Sequence, residues 1–115
     1  MKVKLSMINR ISLLGLLTTK GDITMLKANR ELREELGLTI EERKESGFQM
    51  LPGGKAGWQK ELDPKEFNLE GLKEVLIGEV VAELIKMEKE KTLQLDYLSL
   101  YEVLVEDKKE LKLVN

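Results

Sequence analysis

Few residue pairs in this chain have types and spacing that could do chemistry. Glu79 and Glu83 stand one helical turn apart, and with Glu74 or Glu90 they could gather around a divalent cation. The plainer use of acids on the polar side of an amphipathic helix is to face water. Tyr97 and Tyr101 share the same spacing, which would set two rings on one helix face as a platform for stacked bases. Core or interface packing is the plainer use of that pair. Pro52-Gly53-Gly54-Lys55 invites a phosphate reading, because glycine loops expose backbone N–H groups to anions. A phosphate-binding loop needs a longer glycine spacing and a following helix, so a hairpin turn is the expectation. Trp58 is the single tryptophan. On a short hairpin it either caps a helical core, the favoured reading, or serves as an exposed binding anchor.

What is missing narrows function further. The chain has no His and no Cys. That removes the usual general base near neutral pH, thiolate catalysis, disulfides and zinc sites with sulfur ligands. Carboxylates, Lys, Tyr, Ser and Thr remain, which disfavours a carboxylate or magnesium enzyme without removing it. No catalytic residue, cofactor or metal is expected. The N-terminal apolar run is broken by Asn9, Arg10 and Ser12, unlike a signal peptide. No stretch has the length of apolar sequence a membrane span needs, so a cytoplasmic protein is the expectation.

Charge is uneven. Residues 1–60 hold 11 Lys/Arg against 7 Asp/Glu, while residues 61–115 hold 8 against 14. The halves could simply attract each other, and that is the favoured reading. The alternative is an anionic partner for the first half. Three helices followed by a hairpin follow the order of a winged helix-turn-helix. Lys20, Lys27, Arg30, Arg33, Arg43, Lys44 and Lys55 would then be the nucleic-acid contacts. Against this, the third helix is short and carries Glu41, Glu42 and Glu45, which phosphates would repel.

The elements that must position these residues are legible in the spacing. Lys2 to Leu5 alternates as a strand. Ser6 caps a helix from Met7 to Leu17 whose wide apolar arc (Met7, Ile8, Ile11, Leu14, Leu17, with Leu13 and Leu16) predicts a central place in the core. Gly15 in its interior is expected to allow close approach by another backbone. Asp22 caps a second helix to about Leu36, with a stripe of Met25, Ala28, Leu32 and Leu36 broadened by Leu26. Gly37 is expected to end it in a left-handed stop. Thr39 and Glu42 form a capping box for a short helix ending before Gly47. Phe48 to Leu51 and Ala56 to Lys60 are hairpin arms, and Phe67 to Leu69 is a candidate third strand beside Lys2 to Leu5. A long fourth helix carries Leu72, Val75, Leu76, Val80, Leu84 and Met87, with Gly78 as a second close-packing point. A fifth runs from about Leu95 to Glu106 with Leu98, Tyr101, Leu104 and Val105 inward.

The fold class expected is mainly α with a small β-hairpin, an α+β chain of about five helices around one aliphatic core. Residues 1–106 form the expected single domain and 107–115 a charged and apolar tail. Leu111, Leu113 and Val114 in that tail suit fraying, edge pairing or docking on a partner.

The run Ile11-Ser12-Leu13-Leu14-Gly15-Leu16-Leu17, then Lys20-Gly21-Asp22, Leu26-Lys27 and Arg30-Glu31-Leu32-Arg33-Glu34, resembles a group of small uncharacterised phage and prophage proteins. Trp58 and Leu98-Ser99-Leu100-Tyr101-Glu102 match that group's hairpin tryptophan and closing helix. The resemblance spans roughly residues 5–105. Thr18 stands where the group often has proline, and the hairpin turn here is longer and richer in glycine. The resemblance implies a phage context and carries no site residues. Together these features predict a non-enzymatic accessory protein that binds another protein or itself, through a surface drawn from Trp58, Tyr97, Tyr101, Leu111 and Leu113.

Overall fold

The computed structural model describes residues 1–106; the expectations for Leu111, Leu113 and Val114 lie outside the described residues. Strand β1 (Lys2–Leu5) leads into α1 (Met7–Leu16), α2 (Ile23–Leu36) and α3 (Ile40–Ser46). Hairpin strands β2 (Gln49–Leu51) and β3 (Lys55–Gly57) follow, then β4 (Lys65–Asn68) and the long α4 (Leu72–Lys89). A 3-10 turn (Leu95–Tyr97), a short α5 (Leu98–Tyr101) and a π turn (Glu102–Glu106) close the described chain. The class is α+β, mainly helical.

The strands form two separate antiparallel pairs, β1 with β4 and β2 with β3. Val3 faces Phe67 across the first pair, and β1 alternates so that Val3 and Leu5 point inward. Residue 1 extends this ladder, since Met1 and Leu69 exchange two hydrogen bonds of 2.7 Å. The core is aliphatic: Leu13, Leu32, Leu36, Leu69, Leu84 and Leu100 are all fully buried. Each such side chain stabilises the fold by roughly 1.5–3 kcal/mol relative to exposure.

Helix starts follow their caps. Ser6 accepts from the Asn9 backbone N–H, Asp22 from Met25, and Thr39 from Glu42. Asn9 and Glu42 return the bond to the cap N–H, closing capping boxes at α1 and α3.

Several expectations are corrected. Gly37 leaves α2 in an extended conformation (φ −63°), so no left-handed stop forms there; Gly47 takes that role after α3 (φ 72°). Gly15 and Gly78 are not close-packing points among the described residues, because both are exposed and a Cβ on either would meet none of their atoms within 4 Å. Leu72 and Val75 are exposed. The buried arc of α4 centres between Leu76 and Ile77, which leaves Leu72 at its rim and Val75 outside. Leu26 and Leu98 are exposed too, and Leu100 takes the inward place expected of Leu98. The fifth helix is broken into a 3-10 turn, a short α-helix and a π turn.

Candidate functional site

Two arginines build the frame of the site. Arg10 on α1 is buried, and it donates from Nε to Leu36 O (2.9 Å) and from Nη2 to Gly37 O (2.7 Å). It therefore satisfies carbonyls that the end of α2 leaves open. Its remaining donors reach both carboxylate oxygens of Glu42, at 2.7 and 3.1 Å, and its guanidinium lies 5.4 Å from the Phe67 ring centre. Arg33 on α2 does the reverse. It donates to Leu14 O (3.3 Å), Leu17 O (3.2 Å) and Asn29 Oδ1 (2.6 Å), while Asn29 donates to Thr18 O (2.6 Å). Each helix thus sends an arginine to the other's C-terminal end. Sequence reading missed Arg10, because a charge in an apolar run reads as an interruption. It placed Arg33 among nucleic-acid contacts, where its hydrogen bonds now make it internal scaffolding.

The Arg10 pair holds the Glu42 carboxyl well below its usual range, at about 2 rather than 4.5. The Arg10 hydrogen bonds are the chief cause, helped by the Thr39 backbone N–H and opposed by partial burial.

Behind α3, Ser46 O accepts from Gln59 N (2.8 Å) and Lys60 N (2.9 Å), which fastens the returning arm of the hairpin. Phe48 and Trp58 stack across the base, ring centres 6.4 Å apart and 13° from parallel. Arg43 sits over the Phe48 ring at 5.6 Å. Trp58 Nε1 donates to Glu61 at 2.6 Å. Trp58 therefore does not cap the helical core as favoured. It is half-buried, locks the hairpin base, and turns toward a cleft.

That cleft, of about 530 Å³, separates the hairpin from α1. Ile8, Ile11 and Gly15 form its helical wall, at spacings that fall on one face of α1. Gly54, Lys55, Ala56 and Trp58 form the hairpin wall. Asp96 and Tyr97 close one side, held there because Ser12 Oγ donates to Asp96 O (3.2 Å) and Asn9 donates to Ser99 Oγ (2.9 Å). Trp58 also borders a smaller recess of about 240 Å³ beside Leu51 and Gln59.

The structure brings Trp58 and Tyr97 together and separates Tyr101 from them. Tyr101 is 8% exposed and belongs to the core, so the tyrosine stacking platform does not form and Tyr101 is no surface residue. Of the basic candidates, Lys20, Lys27, Arg30, Lys44 and Lys55 are exposed without gathering on one element, and Arg43 is engaged with Phe48. Glu74, Glu79, Glu83 and Glu90 are exposed. Among the described residues no group of three acidic side chains is placed to hold a metal ion. No helix among them is long and apolar enough to cross a membrane. Ile8 and Ile11 were expected in the core, and the signal that they do otherwise is Gly15 on the same face. Comparison with known proteins finds no matching family model, no matching curated protein and no matching solved structure.

Proposed function

We propose that this chain is a non-enzymatic phage or prophage accessory protein that works by binding another protein at the cleft between α1 and the hairpin. The observation that carries the reading is the cleft's lining: Ile8, Ile11, Trp58 and Tyr97 bring aliphatic and aromatic surface to one open concavity. Aromatic anchors beside apolar surface, rimmed by isolated charges, are the usual composition of a protein-binding centre. The absence of His and Cys from the sequence agrees with work done by surface. The phage context rests on the resemblance in residues 5–105. Nucleic-acid binding is the weaker reading, since Arg33 is turned inward and Arg43 lies on Phe48.

A photo-crosslinking residue at Ile11, compared with one at Glu83 on the far helix, tests the proposal. An adduct from Ile11 alone, to another protein or to a second copy, is the expected result. No adduct from Ile11, together with a monomeric mass by sedimentation, overturns it. A gel shift at low salt, where non-specific binding is strongest, tests the weaker reading.

A further inference from the structure

We infer that residues 39–61 form a lobe that swings against α1 as one body, with Arg10 and Glu42 as its latch and the cleft as the gap it opens or closes. This goes beyond the protein-binding reading and holds whatever the cleft binds.

The lobe shares no core with the rest of the molecule. The core cluster includes Leu36 at the end of α2 and next includes Phe67 in β4. No residue from 37 to 66 belongs to it, and none is among the partly buried hydrophobics packed against it. Hydrophobic burial is the main force that fixes one element on another, so the lobe's position depends on other contacts. Ser46 is the single buried residue in that stretch, and its hydroxyl donates to Glu42 O (2.7 Å) inside the lobe.

Within itself the lobe is well tied. Thr39 and Glu42 close their capping box, and Ser46 O accepts from Gln59 N and Lys60 N. Phe48 stacks on Trp58, Lys60 pairs with Glu45 (3.6 Å), and Trp58 donates to Glu61. A segment bound internally and lacking apolar contact with the body moves as a unit. Among the described residues, the pairing of Arg10 with Glu42 is the only hydrogen-bonded or ionic link from the lobe to the body.

Arg10 stands where both connections leave the body. It donates to Leu36 O and Gly37 O on the outgoing chain, and its guanidinium lies over Phe67 on the returning chain. The two connections are therefore neighbours, and a body held by two neighbouring linkers can rotate about them. The linkers suit this, since Gly37 is extended and residues 62–64 lie in no helix or strand. Rotation carries Gly54, Lys55 and Trp58 toward or away from Ile8 and Ile11, which changes the width of the cleft.

Distance measurement between spin labels is the test. The sequence has no Cys, so two introduced cysteines take all the label. Met50→Cys with Glu83→Cys, both at exposed positions, reads lobe against body, and Lys44→Cys with Met50→Cys reads the lobe itself. The lobe–body distance is expected to be narrow in the native chain. Glu42→Gln should broaden it or shift its mean by more than about 2 Å, the scale of a domain rearrangement. The distance within the lobe and the amide protection of α4 should stay as they are. If Glu42→Gln loses α4 protection, Glu42→Asp, which keeps the charge but shortens its reach, should give the same change in smaller measure. A lobe–body distribution that is the same with and without the substitution overturns the latch. Broadening within the lobe equal to that between lobe and body overturns the swing, since the segment would then be melting.

Discussion

Arg10 is a full positive charge held away from water, and the surrounding residues answer it with four hydrogen bonds and the face of Phe67. A buried charge that loses its partner destabilises far more than the pair stabilises. Glu42→Gln should therefore lower stability by about 2–4 kcal/mol, read as a shift in urea midpoint. Glu42 also makes stability depend on pH. Its folded pKa of about 2 lies below the ordinary 4.5, so its contribution is complete above pH 4.5 and is lost as pH falls toward 2. Solvent reaches the carboxylate's outer side, which reduces that contribution to about 2 kcal/mol. Acid titration of the folded signal should show this loss in the native chain and lack it in Glu42→Gln. Gly78 gives the opposite case. It is exposed within α4 and a Cβ there would meet no atom of the described residues within 4 Å, so Gly78→Ala should raise stability by about 0.5–1 kcal/mol in the same urea measurement.

Among the elements, the hairpin stands apart. Met50 is 66% and Leu51 45% exposed, and among the described residues neither strand pairs beyond the other. An isolated two-stranded hairpin is marginal in water. Its persistence here comes from its base: the Phe48–Trp58 stack, Arg43 over Phe48, and the bonds to Ser46 O. Amides of Gln49 to Gly57 should exchange with solvent faster than those of Lys2 to Leu5, which join a sheet packed on the core. Trp58→Ala should release the hairpin, raising that exchange further, while amides of α1 and α4 keep their protection. Equal protection of both strand pairs would contradict this division.

Across the whole molecule, one core joins elements from β1 to the last described turn, with Val3, Leu32, Leu84 and Val105 in the same cluster. Truncation inside it should be felt globally. Leu84→Ala should cost about 2–5 kcal/mol, whereas Leu95→Ala, at a position 83% exposed, should stay within about 0.5 kcal/mol. Thermal unfolding of the two variants separates them. Leu95 and the cleft share the segment that Ser12 and Asn9 hold against α1, so the body that resists unfolding also positions the cleft.

Local chemistry in the sequence was sufficient for much of this. Ser6, Asp22 and Thr39 announce helix starts because a cap acts on N–H groups two or three residues away. The strand at Lys2 to Leu5, its partner near Phe67, and the turn at Pro52-Gly53-Gly54 follow from alternation and turn chemistry. The direction in which each helix buries its face did not. Val75 and Ile77 are both apolar and helical, and only packing against the body decides that Ile77 is inside. The same holds for Arg10, whose partners lie 26 to 32 residues away in sequence. Tyr97 and Tyr101 share a helix face by spacing and both pack on the core, yet Tyr97 is half-buried and lines the cleft while Tyr101 is buried. Residue type and spacing determined the elements, because capping, turns and periodicity act over a few residues. Tertiary structure decided the site, because the cleft exists only where α1, the hairpin and the turn at Asp96 are brought to one place.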